Sequence, residues 1–178
     1  MHVVAGFSHQ YLTPARLFAL RTTLLPLRTR FHSVFSLDHL AIAVRSLDDS
    51  SPFWAALLGR DETGREEVPS EGVRVAFFGE GDGRVELLEP TDPESGVGRY
   101  LETRGPGLHH VCLSVPDLDA ALDRAEDAGA ETIPPRIREG AGGRRVAFLH
   151  PSSADGVLVE LAERETDEVP RPGEARDG

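Results

Sequence analysis

The 178-residue sequence contains no lysine, a single cysteine and no long hydrophobic stretch. One thiol, Cys112, cannot form an internal disulfide and cannot supply a cysteine-rich zinc site. A lone cysteine also fits a reducing compartment. Because no apolar run approaches the roughly 20 residues that span a bilayer, we expect neither a membrane-embedded protein nor a membrane partner.

Charge is unevenly distributed along the chain. Thirty acidic residues outnumber 19 arginines and give a formal net charge of −11, which argues against nucleic-acid binding because that depends on basic surfaces. Residues 1–36 contain four arginines and no acid, so the remaining 142 residues carry a charge of −15. This change in composition predicts a boundary near residue 36.

Both ends of the chain are expected to lie outside the folded domain. The stretch 1–36 has the composition of an organelle transit peptide, or else lies upstream of a true start near Val34, and we expect a disordered extension. Residues 165–178 are polar and charged, which predicts a disordered acidic tail. The folded unit is then 37–164, in the cytoplasm, or in the mitochondrial matrix if 1–36 is a transit peptide.

The two halves of this unit resemble each other in sequence. The matching segments are LDHLAIAV and LHHVCLSV (37–44 and 108–115), RVAFF and RVAFL (74–78 and 145–149), and two Val-Glu-Leu triplets (85–87 and 159–161). The first two pairs share an offset of 71 residues, and the third has an offset of 74. Matches in the same order indicate an internal duplication, with three extra residues in one hairpin of the second copy.

Each copy predicts the element order β-α-β-β-β. LAIAV and VCLSV are short apolar runs typical of strands. Ser46 and Asp117 precede helical patterns as N-caps do, and Gly59 and Gly129 follow them as C-terminal glycines do. The predicted helices are 47–58, 118–128 and, in the linker between the copies, 98–104. Extended segments and turns complete each copy, so the sequence predicts an α+β fold.

The two copies place a histidine and a glutamate at matching positions. His39 alternates with two alanines, and His110 with a cysteine and a serine, so each histidine lies on a strand face with room for a ligand. Glu86 and Glu160 stand inside apolar strands, where an unpaired carboxylate would be costly. A pseudo-two-fold would bring these four side chains together, and they suit a divalent metal such as Co, Mn, Ni, Zn or Fe.

Each of these residues also has an ordinary structural explanation. A single histidine in a strand is more often a hydrogen-bonded or surface residue than a metal ligand, and a glutamate in a strand usually faces solvent. Their recurrence in two copies favours the metal site. Strand alternation further predicts that His109 points away from the site, and that Asp38 is a surface or strand-end residue facing away from His39.

The segments LDHLAIAV, VELLEP, GPGLHHVCLSV, GAGGRRVAFLHP and GVLVELAE resemble the methylmalonyl-CoA epimerase family of the vicinal oxygen chelate superfamily. The resemblance covers 37–164 and implies two tandem βαβββ modules, about 37–90 and 108–164, that form one metal-containing half-barrel cleft. By position, three residues match the family's metal ligands: His39, His110 and Glu160. Glu86 falls where many members have a glutamine ligand and others a glutamate, and Val75 stands where some members have a glutamate proposed as a base.

The resemblance also implies a reaction and its partners. A methylmalonyl-CoA epimerase interconverts the 2R and 2S forms by removing the proton at C2 and returning it on the opposite face, with help from a divalent metal. Glu160 is the first candidate for proton transfer and Glu86 the second. Cobalt is the metal that the resemblance favours, with manganese, nickel or zinc as alternatives. The substrate would be a small CoA thioester, and a homodimer is implied.

Four arginines surround the glycine-rich segment 140–143 and are candidates for binding the phosphates of CoA. They are Arg136, Arg138, Arg144 and Arg145. Glycine allows the backbone to approach a ligand closely, and the guanidinium fork suits phosphate. The competing explanation is that arginines on loops are solvated surface residues.

Two other functions are compatible with the sequence. The same metal cage could serve a glyoxalase-type lyase or isomerase that acts on a thiol adduct, and the same fold could be a non-catalytic binding module. Metal analysis separates the binding module from the enzymes. Exchange of the C2 proton of methylmalonyl-CoA separates the two enzymes.

Overall fold

The computed structural model describes residues 35–164, so most of the predicted extension and all of the predicted tail lie outside the described residues. The strands are β1 Ser36–Ala43, β2 Gly64–Val68, β3 Val73–Phe78, β4 Arg84–Pro90, β5 Gly107–Val115, β6 Arg138–Glu139, β7 Arg145–Leu149 and β8 Val159–Glu163. The helices are α1 Leu47–Leu58, α2 Gly96–Arg104 and α3 Leu118–Asp127. Within 35–164, no helix is both long and apolar enough to cross a membrane.

The eight strands of residues 35–164 form one sheet in the order β2-β3-β4-β1-β5-β8-β7-β6, which curls into a half-barrel. The antiparallel pair β1 and β5 lies at the centre. Strand β1 runs parallel to β4, and β5 runs parallel to β8, so each copy repeats the same arrangement on its side of the central pair. The predicted α+β fold of two βαβββ modules is therefore confirmed.

Helices α1 and α3 cover the outer face of the sheet. Leu47 of α1 packs with Phe78 in the first copy, and Leu118 and Leu122 of α3 pack with Leu161 in the second. Full burial of each such side chain contributes about 1.5–3 kcal/mol. These clusters leave the opposite, concave face of the sheet free for α2 and for the candidate site.

Repeat-related contacts fix the beginnings of α1 and α3. Ser46 and Asp117 accept hydrogen bonds from backbone N–H groups three residues later, at 3.2 and 2.9 Å, which confirms both predicted N-caps. In addition, Glu89 accepts from the first N–H of α1 at 2.8 Å, and Glu163 accepts from the first N–H of α3 at 3.2 Å. The first N–H groups of a helix have no partner inside it, so these side chains specify where each helix starts.

Helix α2 lies over the concave face of the first copy. Its buried residues Val97 and Leu101 join a cluster with Val75 and Leu88 of the sheet. The helix begins two residues earlier than the sequence predicted. By covering this face without filling it, α2 forms one wall of a cavity.

Gly98 allows α2 to lie close to the chain that precedes it. A Cβ atom at this position would collide with the backbone carbonyl of Pro93. We therefore expect Gly98→Ala to lower the free energy of unfolding by about 1–3 kcal/mol, the usual cost of overpacking, in urea denaturation. Gly96→Ala is the matched control, because a Cβ there meets nothing within 4 Å, and it should not destabilise the protein. Equal stabilities would contradict the close approach.

Two β-bulges interrupt the central strand pair at repeat-related positions. The register between β1 and β5 steps over Asp38 in β1 and over His109 in β5, so neither residue has a partner across the pair. Each bulge adds one residue to its strand and breaks the strict alternation of side chains. Asp38 consequently contacts His39, and His109 contacts His110. The predictions that Asp38 and His109 face away from the site are therefore wrong.

Candidate metal centre

Three of the predicted metal ligands meet on the concave face. Nε2 of His39 lies 3.2 Å from Nε2 of His110. Oε2 of Glu160 lies 3.2 Å from the first nitrogen and 2.9 Å from the second. All three side chains are buried. Strands β1, β5 and β8 are neighbours in the sheet, and this order brings together residues that are far apart in sequence.

The three atoms form a triangle, here called the ligand triangle, that fits one metal ion. Two imidazole nitrogens and one carboxylate oxygen are ligands that several divalent transition metals accept. Around an octahedral ion with ligand distances of about 2.1 Å, neighbouring ligand atoms stand about 3.0 Å apart. The observed spacings of 2.9–3.2 Å match this value.

Glu86, the fourth predicted ligand, is buried nearby but does not join the ligand triangle. Its Oε1 accepts a hydrogen bond from Nε of Arg84 at 2.8 Å. The same oxygen lies 3.3 Å from Nδ1 of His39, on the ring edge opposite the metal-facing nitrogen. Arg84 precedes Glu86 by two residues on β4 and so shares its strand face. The structure thus separates two glutamates that the repeat makes equivalent.

The charges of the cluster perturb its titration. Burial alone would lower the pKa of His39, but hydrogen bonds to Asp38 and Glu160 and the charge of Glu86 raise it to about 9. Burial alone would raise the pKa of Glu160, but hydrogen bonds from His110 and His39 hold it well below its usual range. A carboxylate with so low a pKa is a weak base, which counts against Glu160 as the first proton acceptor.

A buried ionic network supports His39. Oδ1 of Asp38 accepts from Nδ1 of His39 at 2.8 Å and pairs with Arg84 at 2.8 Å, while Oδ2 pairs with Arg144 at 2.8 Å. Burial alone would raise the pKa of Asp38, but hydrogen bonds from His39 and Arg144 and the charge of Arg84 lower it. Asp38 is therefore a fixed negative charge held behind the ligand triangle.

His109 makes the corresponding contact in the second copy. Its Nδ1 lies 2.9 Å from Nδ1 of His110, and its ring packs edge-on against Tyr100. Burial, followed by the charge of His110, lowers the pKa of His109 to about 3. His109 is therefore neutral near pH 7.

The ligand triangle lies at the inner end of a cavity of about 580 Å³. Apolar side chains form much of the wall, among them the buried Val75, Leu88 and Val146 and the half-buried Phe148. The exposed lining residues include Arg99 and others on α2, so the cavity opens to solvent beside that helix. A small apolar group could therefore reach the triangle while a charged group stays at the opening.

Of the four arginines that were predicted to bind phosphate, two line the cavity and two do not. Arg138 and Arg144 line the cavity. Arg136 and Arg145 do not: they form ion pairs with acidic residues of α3, and Arg145 also pairs with Glu163 at the end of β8. The structure therefore does not bring Arg136 and Arg145 to the cavity, because acidic side chains on the outer surface hold both guanidinium groups.

Several side chains of the site were not predicted from the sequence. They are Asp38, Arg84 and His109 around the ligand triangle, and Arg99 and Arg104 at the opening. A signal existed for Arg84, which alternates with Glu86 on one strand, and for Asp38 and His109, since a polar residue precedes the histidine in each copy. The α2 arginines carry no such signal, because solvated helices often carry arginine.

Proteins of known family resemble this chain in sequence. Residues 38–148 match the family described as the Glyoxalase/Bleomycin resistance protein/Dioxygenase superfamily. An ethylmalonyl-CoA/methylmalonyl-CoA epimerase of Cereibacter sphaeroides is 38% identical over 129 residues, which cover 70% of this chain and 95% of that protein. The mitochondrial methylmalonyl-CoA epimerase of Homo sapiens is 34% identical over 126 residues, 70% of this chain and 72% of that protein.

A solved structure is similar as well. It is a variant of the Streptomyces coelicolor methylmalonyl-CoA epimerase in complex with 2-nitronate-propionyl-CoA. The two structures superpose with a TM-score of 0.70 at 34% sequence identity, and the match covers 75% of this chain and 99% of that chain. The shared fold therefore extends over nearly the whole of the solved protein.

Proposed function

Because the chain belongs to the glyoxalase/bleomycin resistance protein/dioxygenase superfamily and, within it, to the methylmalonyl-CoA epimerases, we propose that it interconverts (2R)- and (2S)-methylmalonyl-CoA. The observation that carries this proposal is the buried ligand triangle at the inner end of a largely apolar cavity. The enzyme is an isomerase, and its reaction needs only a proton transfer at C2.

The metal ion would be held by His39, His110 and Glu160. Glu86, whose Oε1 is bound by Arg84, does not belong to this set. When bound, a divalent ion supplies Lewis-acid stabilisation for the negative charge that develops on the thioester oxygen as C2 loses its proton. Cobalt is the ion that the family resemblance favours, and manganese, nickel and zinc accept the same ligand set.

We propose that two carboxylates of the chain move the proton. Oε1 of Glu86 is bound by Arg84, while its other oxygen makes no hydrogen bond to any of residues 35–164. Glu160 is bound by two histidines, and the lowered pKa of its carboxyl counts against it as a base. We therefore place Glu86 first and Glu160, at the repeat-related position, second, which reverses the order taken from the sequence. Apolar neighbours such as Val75 exclude water around C2, which strengthens the electrostatic interactions there.

The opening of the cavity suits the phosphates of CoA. Arg104 forms no ion pair with an acid in the described part of the chain, and Arg99 has only a 3.9 Å contact with the exposed Glu94. Both arginines lie on α2 and line the cavity. They are therefore better placed to bind phosphate than Arg136, whose guanidinium is occupied outside the cavity.

Arg104→Ala is expected to raise KM for methylmalonyl-CoA about tenfold while kcat stays nearly constant. The reason is that a charge-assisted hydrogen bond to phosphate binds substrate and transition state alike. Steady-state kinetics with the metal-loaded protein measure both constants. Arg136→Ala is the matched control: it removes an arginine outside the cavity and should leave KM unchanged. An equal rise of KM in both variants would contradict phosphate binding at α2.

A comparison of substrates tests the proposed function. Cobalt-loaded protein is offered methylmalonyl-CoA and, separately, the hemithioacetal of methylglyoxal and glutathione. The proposal expects epimerisation of the first and no turnover of the second. Turnover of the hemithioacetal alone would identify a glyoxalase-type lyase. Turnover of neither, with the metal bound, would identify a binding module.

The family resemblance also supports a homodimer. It supports a cytoplasmic location too, or a mitochondrial one if residues 1–36 are removed as a transit peptide. Light scattering of the purified protein tests the first proposal. The N-terminal sequence of the native protein tests the second.

A further inference from the structure

We infer that Asp38 and His109, which directly precede the two histidines of the ligand triangle, are positioning residues that keep Nε2 of each imidazole available to a metal ion. Neither residue is a metal ligand in this proposal. It rests on the proposed function only in requiring a metal ion at the ligand triangle.

Both residues contact the same ring atom of their histidine. Oδ1 of Asp38 accepts from Nδ1 of His39 at 2.8 Å, and Nδ1 of His109 lies 2.9 Å from Nδ1 of His110. A neutral imidazole carries one proton, so a histidine that donates from Nδ1 keeps a lone pair on Nε2. Those Nε2 atoms are the ones that face each other and Glu160.

The two bulges make these contacts available. In a regular strand, neighbouring side chains point to opposite faces, and the residue before a histidine cannot reach its ring from the same side. The bulges at Asp38 and His109 break this alternation at positions 71 residues apart. The same irregularity thus occurs in both copies, although one residue is an acid and the other an imidazole. Both bulges bring a side chain to Nδ1 of the next histidine, although the two side chains differ in chemistry. This contact is therefore the feature that the two bulges have in common.

The two positioning residues are expected to strengthen metal binding to different degrees. Asp38 is buried and anionic, and Arg84 and Arg144 balance its charge. His109 offers a ring nitrogen in place of a carboxylate. A carboxylate behind a ligand histidine makes the imidazole a stronger donor to the metal, and loss of such a partner typically lowers metal affinity about 10–100-fold. We therefore expect a larger effect at Asp38 than at His109.

Asp38 could in principle bind a cation itself, since ligand atoms of Asp38, His39 and Cys112 also lie close together. Two arginines already pair with Asp38, however, and their positive charges oppose a metal ion on that side. The ligand triangle has no arginine among its own contacts in the described residues. Asp38 therefore acts through His39.

A cobalt titration, followed by visible absorption against a competing chelator, tests the inference with two variant pairs. His109→Leu removes the acceptor and should weaken Co²⁺ binding about tenfold, whereas His109→Gln keeps an acceptor and should recover most of the affinity. Asp38→Leu should weaken binding about 10–100-fold, and Asp38→Asn less. Asp61→Asn, an exposed acid away from the cavity, is the control and should bind normally.

Spectroscopy separates positioning from simple damage to the fold. With zinc bound and histidine labelled with ¹⁵N, Nδ1–H signals are expected for His39 and His110 in the wild-type protein. Asp38→Leu leaves two arginines without their anion and can unfold. If it does, the comparison of His109→Leu with His109→Gln decides the question. Wild-type protein that binds no cobalt would overturn the proposed function itself. Normal cobalt affinity in His109→Leu, or zinc on Nδ1, would overturn this inference alone.

Discussion

Replacing His110 with alanine is expected to abolish cobalt binding and to reduce kcat/KM for methylmalonyl-CoA by about 1000-fold or more. The side chain supplies one corner of the ligand triangle, 3.2 Å from His39 and 2.9 Å from Glu160. Lewis-acid stabilisation by a metal is worth several kcal/mol, and about 1.4 kcal/mol corresponds to a factor of ten in rate. Equilibrium dialysis with cobalt and an epimerisation assay measure the two losses.

The His110→Ala protein must be folded for this result to carry weight. Circular dichroism and thermal unfolding establish that, because the substitution removes a buried side chain and can lower stability. A folded variant that binds cobalt with wild-type affinity would contradict the assignment of the ligand triangle. A folded variant that loses the metal and keeps its activity would contradict the role of the metal.

Replacing each of the two repeat-related glutamates with glutamine is expected to give opposite patterns. Glu160→Gln should weaken cobalt binding about 100-fold or more and lower activity with it, because Glu160 contributes the only carboxylate of the ligand triangle. Glu86→Gln should change metal affinity less than about threefold, because Arg84 holds that carboxylate away from the triangle. Its kcat should nevertheless fall about 10²–10⁴-fold, the usual contribution of a positioned proton-transfer group.

Cobalt titration and single-turnover rates, measured on both variants, separate binding from chemistry. The pair is well matched, since each substitution replaces a buried carboxylate with an amide of nearly the same size. An equally large loss of metal affinity in both variants would contradict the three-residue triangle and restore the four-ligand site predicted from the sequence. An unchanged kcat in Glu86→Gln would exclude Glu86 from proton transfer.

Much of the fold followed from the sequence because the duplication was visible in it. The alignment of the copies predicted the element order, the N-caps Ser46 and Asp117 and the bounds of α1. It also predicted that His39, His110 and Glu160 would converge, since equivalent strands of two copies lie beside the same central axis. These features depend on hydrophobic periodicity and on local hydrogen bonds, which short stretches of sequence specify.

The errors have a common physical origin in tertiary contacts. A β-bulge adds one residue to a strand without a required glycine or proline, so alternation gave the wrong face for Asp38 and His109. Which partner an arginine finds also depends on other elements of the fold: α3 holds Arg136, and loop composition does not show this pairing. The pairing of Glu86 with Arg84 is different, because the two residues alternate on β4 and strand alternation could have indicated it.

The net negative charge of the chain affects how CoA can bind. A domain with excess negative charge repels a polyanion such as CoA at long range. Two α2 arginines at the opening of the cavity, Arg99 and Arg104, supply the positive charge that such a ligand needs nearby. Binding of the CoA end is therefore expected to depend on a few placed cations rather than on the overall field of the protein.

In the proposed function, the ligand triangle and its cavity serve proton exchange at C2 of methylmalonyl-CoA. The most direct measurement follows a single stereoisomer of this thioester in D₂O, by NMR and mass spectrometry, with cobalt-loaded protein and with protein stripped by a chelator. The proposal predicts one deuterium at C2 together with conversion to a mixture of both stereoisomers, and only background exchange in the stripped sample. Fully metal-loaded protein that neither incorporates deuterium nor epimerises the substrate would contradict it.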